Sequence, residues 1–135
     1  MNTPKIFTLE EVNQILPQVR ALITRLHSFR DAIIAKEAEV DALELVAGGR
    51  ADSPLVAEAM KIYQDLVNRF YDEVERMTEA GYHLKDLDLG LVDFHGVYDQ
   101  RIVCLCWKWD EEKVSHWHSL ESGFASRQPI QTEVK

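Results

Sequence analysis

The sequence predicts an α+β fold in which a long antiparallel helical hairpin precedes a small three-stranded antiparallel β-meander. Three observations favour it: a seven-residue apolar repeat near the N-terminus, a glycine-containing turn between two helical segments, and a hydrophobic period that changes from 3.6 to 2 after Gly81. The 135 residues are enough for one domain with its own core. We expect a single domain over 1–135, with the hairpin at 8–80 and the meander and a C-terminal segment at 82–130.

The first helix is predicted from two apolar stripes that each repeat every seven residues. The second stripe is interrupted only by Lys36. Such a narrow seam needs a partner helix to cover it. The stripes consist of Val12, Val19, Leu26, Ile33 and Val40, and of Ile15, Leu22, Phe29 and Leu43.

Local signals set the limits of this helix. Thr8 and Glu11 form a capping box, which places the helix start at about Leu9. Pro17 predicts a kink or break near 14–16, because its ring clashes with the carbonyl group of Asn13. Beyond the proline, the pattern continues to about residue 46.

The second helix follows a turn at 47–52. Ser53 is a good N-cap, Pro54 suits the first helical position, and Gly81 is a natural terminator. Residues 17–46 and 54–80 give rods of ~45 Å and ~40 Å, which match as the arms of a hairpin should. A 45 Å rod exceeds a compact globule of this size, so we expect a homodimer that covers the remaining apolar surface.

Alternating residues predict three strands after Gly81. They lie at 89–94, 101–109 and 113–118, with turns at 99–100 and 110–112. The middle strand is apolar on both faces, so both of its faces need a cover. Of the three nearby tryptophans, Trp107 and Trp117 are expected in the core or at an interface.

The net charge of −8 bears on the binding partners of the chain, and its apolar runs bear on its location in the cell. Without a basic patch, the chain is not expected to bind nucleic acid. It has no run of about 18 apolar residues, so we expect no membrane span and a cytoplasmic location. In a reducing compartment, Cys104 and Cys106 are expected to be thiols or metal ligands rather than a disulfide.

Six segments of the chain carry a family resemblance: FTLEE at 7–11, LPQVR at 16–20, LKDLDLGLVDF at 84–94, LCW at 105–107, WH at 117–118 and GFASRQP at 123–129. Together they resemble an uncharacterised bacterial family, the domain of unknown function 2203. The resemblance implies a short bacterial protein without an assigned activity. His95 and Ser126 stand where the family pattern has proline and glycine. Cys106 and His118 belong to the pattern, whereas Cys104 and His116 do not.

The sharpest chemical pattern is a Cys-x-Cys on one strand followed by a His-x-His on the next. If Cys106 pairs with His116, Cys104 faces His118, and four zinc-type ligands converge on one patch. A register shifted by one residue puts the cysteines and histidines on opposite faces. In the alternative interpretation, both cysteines are small core residues and one histidine is buried beside a hydrogen-bonding partner.

Two polar groups are also of interest. His118 with Asp93 and Glu121, assisted by Asp88, forms either an acid–base unit or a structural clip.

Arg127 either pairs with Asp86, Asp88 or Asp93 and fixes the C-terminal segment, or joins Arg101 to bind a small anion.

Three functions are therefore open. The first is a non-enzymatic scaffold or partner-binding protein that presents the helical hairpin. The second is a metal-binding protein, for zinc or iron, that uses His118 with His116, Cys106 or Cys104. The third is an enzyme for a small anionic substrate, with His118 as base and Arg127 as anchor. We expect the protein not to be an enzyme.

Overall fold

A computed structural model describes residues 5–48, 50 and 53–131. Two helices, α1 at Leu9–Val46 and α2 at Pro54–Glu79, precede an antiparallel sheet, which confirms the predicted fold class. The chain divides into two compact units. One comprises Thr24–Glu75, and the other comprises the chain up to Ile23 together with the chain from Arg76 onward. The predicted turn at 47–52 includes three residues (49, 51 and 52) that lie outside the described ranges.

The N-terminal capping box of α1 is confirmed. The amide of Glu11 donates to Thr8 Oγ1 at 3.0 Å, and the amide of Thr8 donates to Glu11 Oε1 at 2.8 Å. The helix does not break at Pro17, because α1 continues to Val46. One missing backbone hydrogen bond is tolerated, since the buried Leu16 and Val19 anchor the helix on both sides of the proline.

The predicted ends of α2 are also confirmed. Ser53 caps its first turn, with Oγ 3.4 Å from the amide of Val56. At the other end, Gly81 has a φ of +92°, which favours glycine. The amide of Tyr82 donates to the carbonyl of Met77 at 2.8 Å, and that of Gly81 donates to the carbonyl of Thr78 at 3.0 Å. These bonds form a Schellman motif.

Within the unit Thr24–Glu75, the two helical arms contact each other along the predicted seam. Leu26 and Val40 of α1 are buried. Arg25 Nε lies 3.2 Å from Glu73 Oε1, and the Arg69 guanidinium lies 5.5 Å from the centre of the Phe29 ring. Phe29 and Leu43, the residues of the second stripe in this unit, are half-buried.

The sheet has five strands in sequence order rather than the three that we predicted. The two extra strands are short and polar, so they carry no alternating signal. The strands are β1 at His83–Asp86, β2 at Leu91–Tyr98, β3 at Arg101–Lys108, β4 at His116–His118 and β5 at Gln128–Pro129.

The register distributes the side chains between two contrasting faces. Asp99 and Gln100, with φ values of 53° and 63°, form the tight turn that joins β2 to β3. Residues opposite each other in an antiparallel pair share a face. One face, called here the apolar face, is lined by Val92, Phe94, Val103, Leu105, Trp107 and Trp117. The opposite face, called here the polar face, carries His83, Asp93, His95, Cys104, Cys106, His116 and His118.

The N-terminal part of α1 packs on the apolar face. The Arg20 guanidinium lies 5.2 Å from the centre of the Trp107 ring. The amide of Val114 donates to Asn13 Oδ1 at 2.8 Å, and the amide of Phe7 donates to the carbonyl of His95 at 2.8 Å. These contacts hold the central strands and therefore position the side chains of the polar face.

Candidate metal centre

Three side chains meet on the polar face, each from a different strand. They are Asp93 of β2, Cys106 of β3 and His118 of β4, and their ligating atoms all lie within 4.8 Å of one another. The residues are 4%, 0% and 2% exposed, respectively. We call these three residues the Asp–Cys–His cluster.

The strand register explains how the cluster forms. Cys106 lies opposite both Asp93 and His116, whereas Cys104 lies opposite His118. This is the register that the predicted metal site requires. The imidazole of His118 nevertheless extends across β3 and reaches Asp93, with Nε2 3.0 Å from Oδ2. This contact is the one predicted for the His118–Asp93 polar group, and within the four-ligand hypothesis Asp93 takes the place given to His116.

The hydrogen bonds of His118 orient its ring as they would in a metal ligand. Nδ1 lies 2.8 Å from the backbone carbonyl of Ser119, and because a carbonyl only accepts, Nδ1 carries a hydrogen. Nε2 and Asp93 Oδ2, 3.0 Å apart, share the other hydrogen bond of the ring, so a metal bound to both atoms would displace the hydrogen between them. A backbone carbonyl that fixes the distal nitrogen is a common outer partner of metal-binding histidines.

Asp93 has one carboxylate oxygen without a partner. Oδ2 contacts His118, but Oδ1 is buried and forms no hydrogen bond among the residues that the structure describes. An unsatisfied buried polar atom costs about 1–3 kcal/mol. Such an atom is unusual in a close-packed sheet, and a cation beside it would remove the cost.

Both thiols are held in the neutral form. Burial raises the pKa of Cys106 to about 12, and the charge of Asp93 and a hydrogen bond to its carboxylate add to the rise, although a hydrogen bond from Arg127 opposes it. Burial and Asp93 likewise raise the pKa of Cys104 to about 11. The thiols are therefore poor nucleophiles, and a metal would displace a proton when it binds.

Arg127 fixes the C-terminal segment beside the cluster. Its NH1 and NH2 donate to Glu111 Oε1 and Oε2 at 3.1 and 2.8 Å, and its guanidinium stacks 4.4 Å from the centre of the Phe124 ring. The predicted pairing with Asp86, Asp88 or Asp93 is therefore wrong, because Glu111 supplies the carboxylate. Glu111 was missed as a functional residue, since its segment has only the composition of an acidic turn.

The remaining predicted residues lie apart from the cluster. His116 Nδ1 is 3.0 Å from Ser115 Oγ and 3.6 Å from Glu111 Oε2. Glu121 is exposed, in a turn beyond β4. The Arg101 guanidinium lies 5.6 Å from the centre of the Trp117 ring, on the apolar face. Arg101 and Arg127 are thus on opposite sides of the sheet and do not form a joint anion site.

A second histidine pair on the polar face was not foreseen. The rings of His83 and His95 stack, with their centroids 4.5 Å apart. Burial lowers the pKa of His83, and the charges of His95 and Lys85 lower it further. Since His83 comes from β1, which has no alternating pattern, the sequence contains no signal for this pairing.

Fold and site together define an α+β protein whose sheet buries an Asp–Cys–His cluster suited to a metal ion. The chain belongs to the uncharacterized conserved protein family DUF2203, whose family model matches residues 5–130. No curated protein and no solved structure matches the chain. In the part of the chain that the structure describes, neither helix is both long and apolar enough to cross a membrane.

Proposed function

We propose that this protein binds one transition-metal ion at the Asp–Cys–His cluster. The observation that carries the proposal is the convergence of a carboxylate, a thiol and an imidazole within 4.8 Å in a buried place. Tetrahedral nitrogen and oxygen ligands at ~2.0–2.1 Å from a metal are about 3.3 Å apart. The distance of 3.0 Å between His118 Nε2 and Asp93 Oδ2 is close to that value, so these two ligands need little rearrangement.

The donor set favours zinc. A thiolate selects softer ions and excludes magnesium and calcium, and imidazole and carboxylate both bind Zn²⁺ well. Iron is the alternative that a metal screen would reveal. The unpaired Oδ1 of Asp93 supports either ion, because coordination or the accompanying charge would satisfy it.

Zinc binding should strengthen with pH. Because the thiol of Cys106, with a pKa of about 12, is protonated in the metal-free protein, each bound ion releases at least one proton. Between pH 7.5 and 9 the affinity should rise at least about tenfold per pH unit. Competition titration of reduced, tag-free protein against a chromophoric chelator measures the slope and the expected stoichiometry of one. Absence of binding, or an affinity that does not change with pH, would contradict the proposal.

A second function, binding of a partner through the helical hairpin, is supported by apolar residues left exposed in the unit Thr24–Glu75. Leu55 and Ile62 lie seven residues apart on one side of α2 and are 68% and 39% exposed. Ile34 and Leu45 lie eleven residues apart on one side of α1 and are 57% and 84% exposed. Such paired apolar positions favour association with a second copy of the chain.

Sedimentation equilibrium tests this second function. The wild-type protein should be a dimer at micromolar concentration, and Ile62→Asp should shift it to monomer, because a charge in an apolar interface is costly. Val97→Asp is the matched control, since Val97 is 60% exposed but lies on β2. A monomeric wild type, or a dimer that only the Val97 variant disrupts, would exclude the hairpin as the interface.

A further inference from the structure

We infer that Cys104 is the fourth ligand of the metal, so that the site is a closed Asp–Cys–Cys–His centre. The inference rests on the proposed function and deepens it. A closed four-ligand site holds its ion for structural stability, whereas a three-ligand site keeps a position open for water or substrate.

The path of the His118 side chain places Cys104 beside the cluster. The backbone of His118 on β4 lies opposite Cys104 on β3. Its imidazole reaches Asp93 on β2, which lies opposite Cys106. The two cysteines are two residues apart on β3, about 6.7 Å along the strand, and point to the same face. The bond between His118 and Asp93 therefore crosses β3 between the two cysteines. The sulfur of Cys104 is not among the atoms that lie within 4.8 Å of one another, so it would join the site by rotation about its Cα–Cβ bond.

The burial of Cys104 also supports its assignment as the fourth ligand. Cys104 is 5% exposed, so the fourth position is shielded from solvent by a side chain that can itself ligate. The charge of the Asp93 carboxylate raises the pKa of both thiols, and both cysteines share the polar face with Asp93. His116 is engaged with Ser115 and lies near Glu111, and His95 stacks on His83. Cys104 is the donor that lies directly opposite His118.

The net charge of the proposed four-ligand site equals that of a known type of structural zinc site. Two thiolates, one carboxylate and a neutral imidazole around Zn²⁺ give a net charge of about −1, as in a Cys₃His site. The hydrogen bond from Arg127 to Cys106 offsets part of this charge. On binding, two S–Zn bonds, one N–Zn bond and one O–Zn bond form. Both thiol protons and the proton shared by His118 Nε2 and Asp93 Oδ2 leave to solvent, without any change of oxidation state.

Cobalt spectroscopy tests the inference. Co²⁺ is added to reduced, tag-free protein without oxygen, and the sulfur-to-cobalt charge-transfer band is measured per bound ion. Because the band scales with the number of thiolates, we expect Cys104→Ala to lower it by about half and to weaken binding. A Cys104→Ala protein with the full band and unchanged affinity would overturn the fourth-ligand assignment but leave the proposed function intact. A wild type that binds no cobalt would overturn both.

A measurement on the wild type keeps the test independent of the variant's folding. Azide added to the cobalt protein should leave the spectrum unchanged, because a closed site offers no free position. An azide-dependent shift in the wild type would show an open position and contradict the assignment. Where Cys104→Ala folds, its opened site should respond to azide.

Discussion

Replacing His118 with alanine is expected to weaken zinc binding at least about 100-fold, whereas His116→Ala should change it less than about threefold. The loss corresponds to about 2.7 kcal/mol of binding free energy. The two histidines lie on the same strand and the same face, but Nε2 of His118 alone reaches Asp93, at 3.0 Å. Competition titration of the tag-free variants measures the difference.

This pair of variants separates a metal site from a structural clip. If the contact between His118 and Asp93 only stabilises the sheet, His118→Ala should lower the unfolding free energy without affecting zinc. Equal losses of zinc affinity in both variants would instead indicate that zinc binds elsewhere on the histidine-rich face. Urea unfolding without metal provides the necessary stability control for both proteins.

Replacing Trp107 with alanine should have the largest effect on stability, a loss of about 3–5 kcal/mol in unfolding free energy. The side chain is 0% exposed on the apolar face, and its Nε1 donates to the carbonyl of Glu111 at 2.9 Å. The substitution therefore leaves a large cavity and also loosens the turn whose carboxylate holds Arg127. The midpoint and slope of urea unfolding measure the change.

Trp109→Ala is the control for this effect. Trp109 lies just beyond the end of β3 and is 37% exposed, so its loss should cost about 1 kcal/mol or less. If the two variants unfold at the same urea concentration, the burial of Trp107 does not stabilise the protein as described. A Trp107 variant that retains full stability would contradict the assignment of the apolar face.

The helical half of the fold could be predicted because its signals are local. The capping box of Thr8 and Glu11, the cap at Ser53 and the terminator Gly81 all lie at helix ends, where nearby residues determine the outcome. The continuity of α1 through Pro17 could not be predicted. It depends on tertiary burial of the neighbouring residues, which outweighs one lost hydrogen bond.

The candidate site could be predicted only in part. Alternation places Cys104 with Cys106 on one side of a strand, but the register of β3 with β4 is a long-range property that spacing leaves open. The grouping of His118 with Asp93 is predicted from the sequence, but its convergence with Cys106 is not, because it depends on how far the imidazole extends across β3. Glu111 carries no distinctive pattern at all, since an acidic turn is normally solvated.

The most direct test of the metal centre is anomalous diffraction at the zinc edge from crystals of the tag-free, zinc-loaded protein. The account predicts one strong peak at about 2.0–2.3 Å from His118 Nε2, an oxygen of Asp93 and the sulfur of Cys106. A peak between His83 and His95, or no peak within the sheet at full zinc loading, would contradict it.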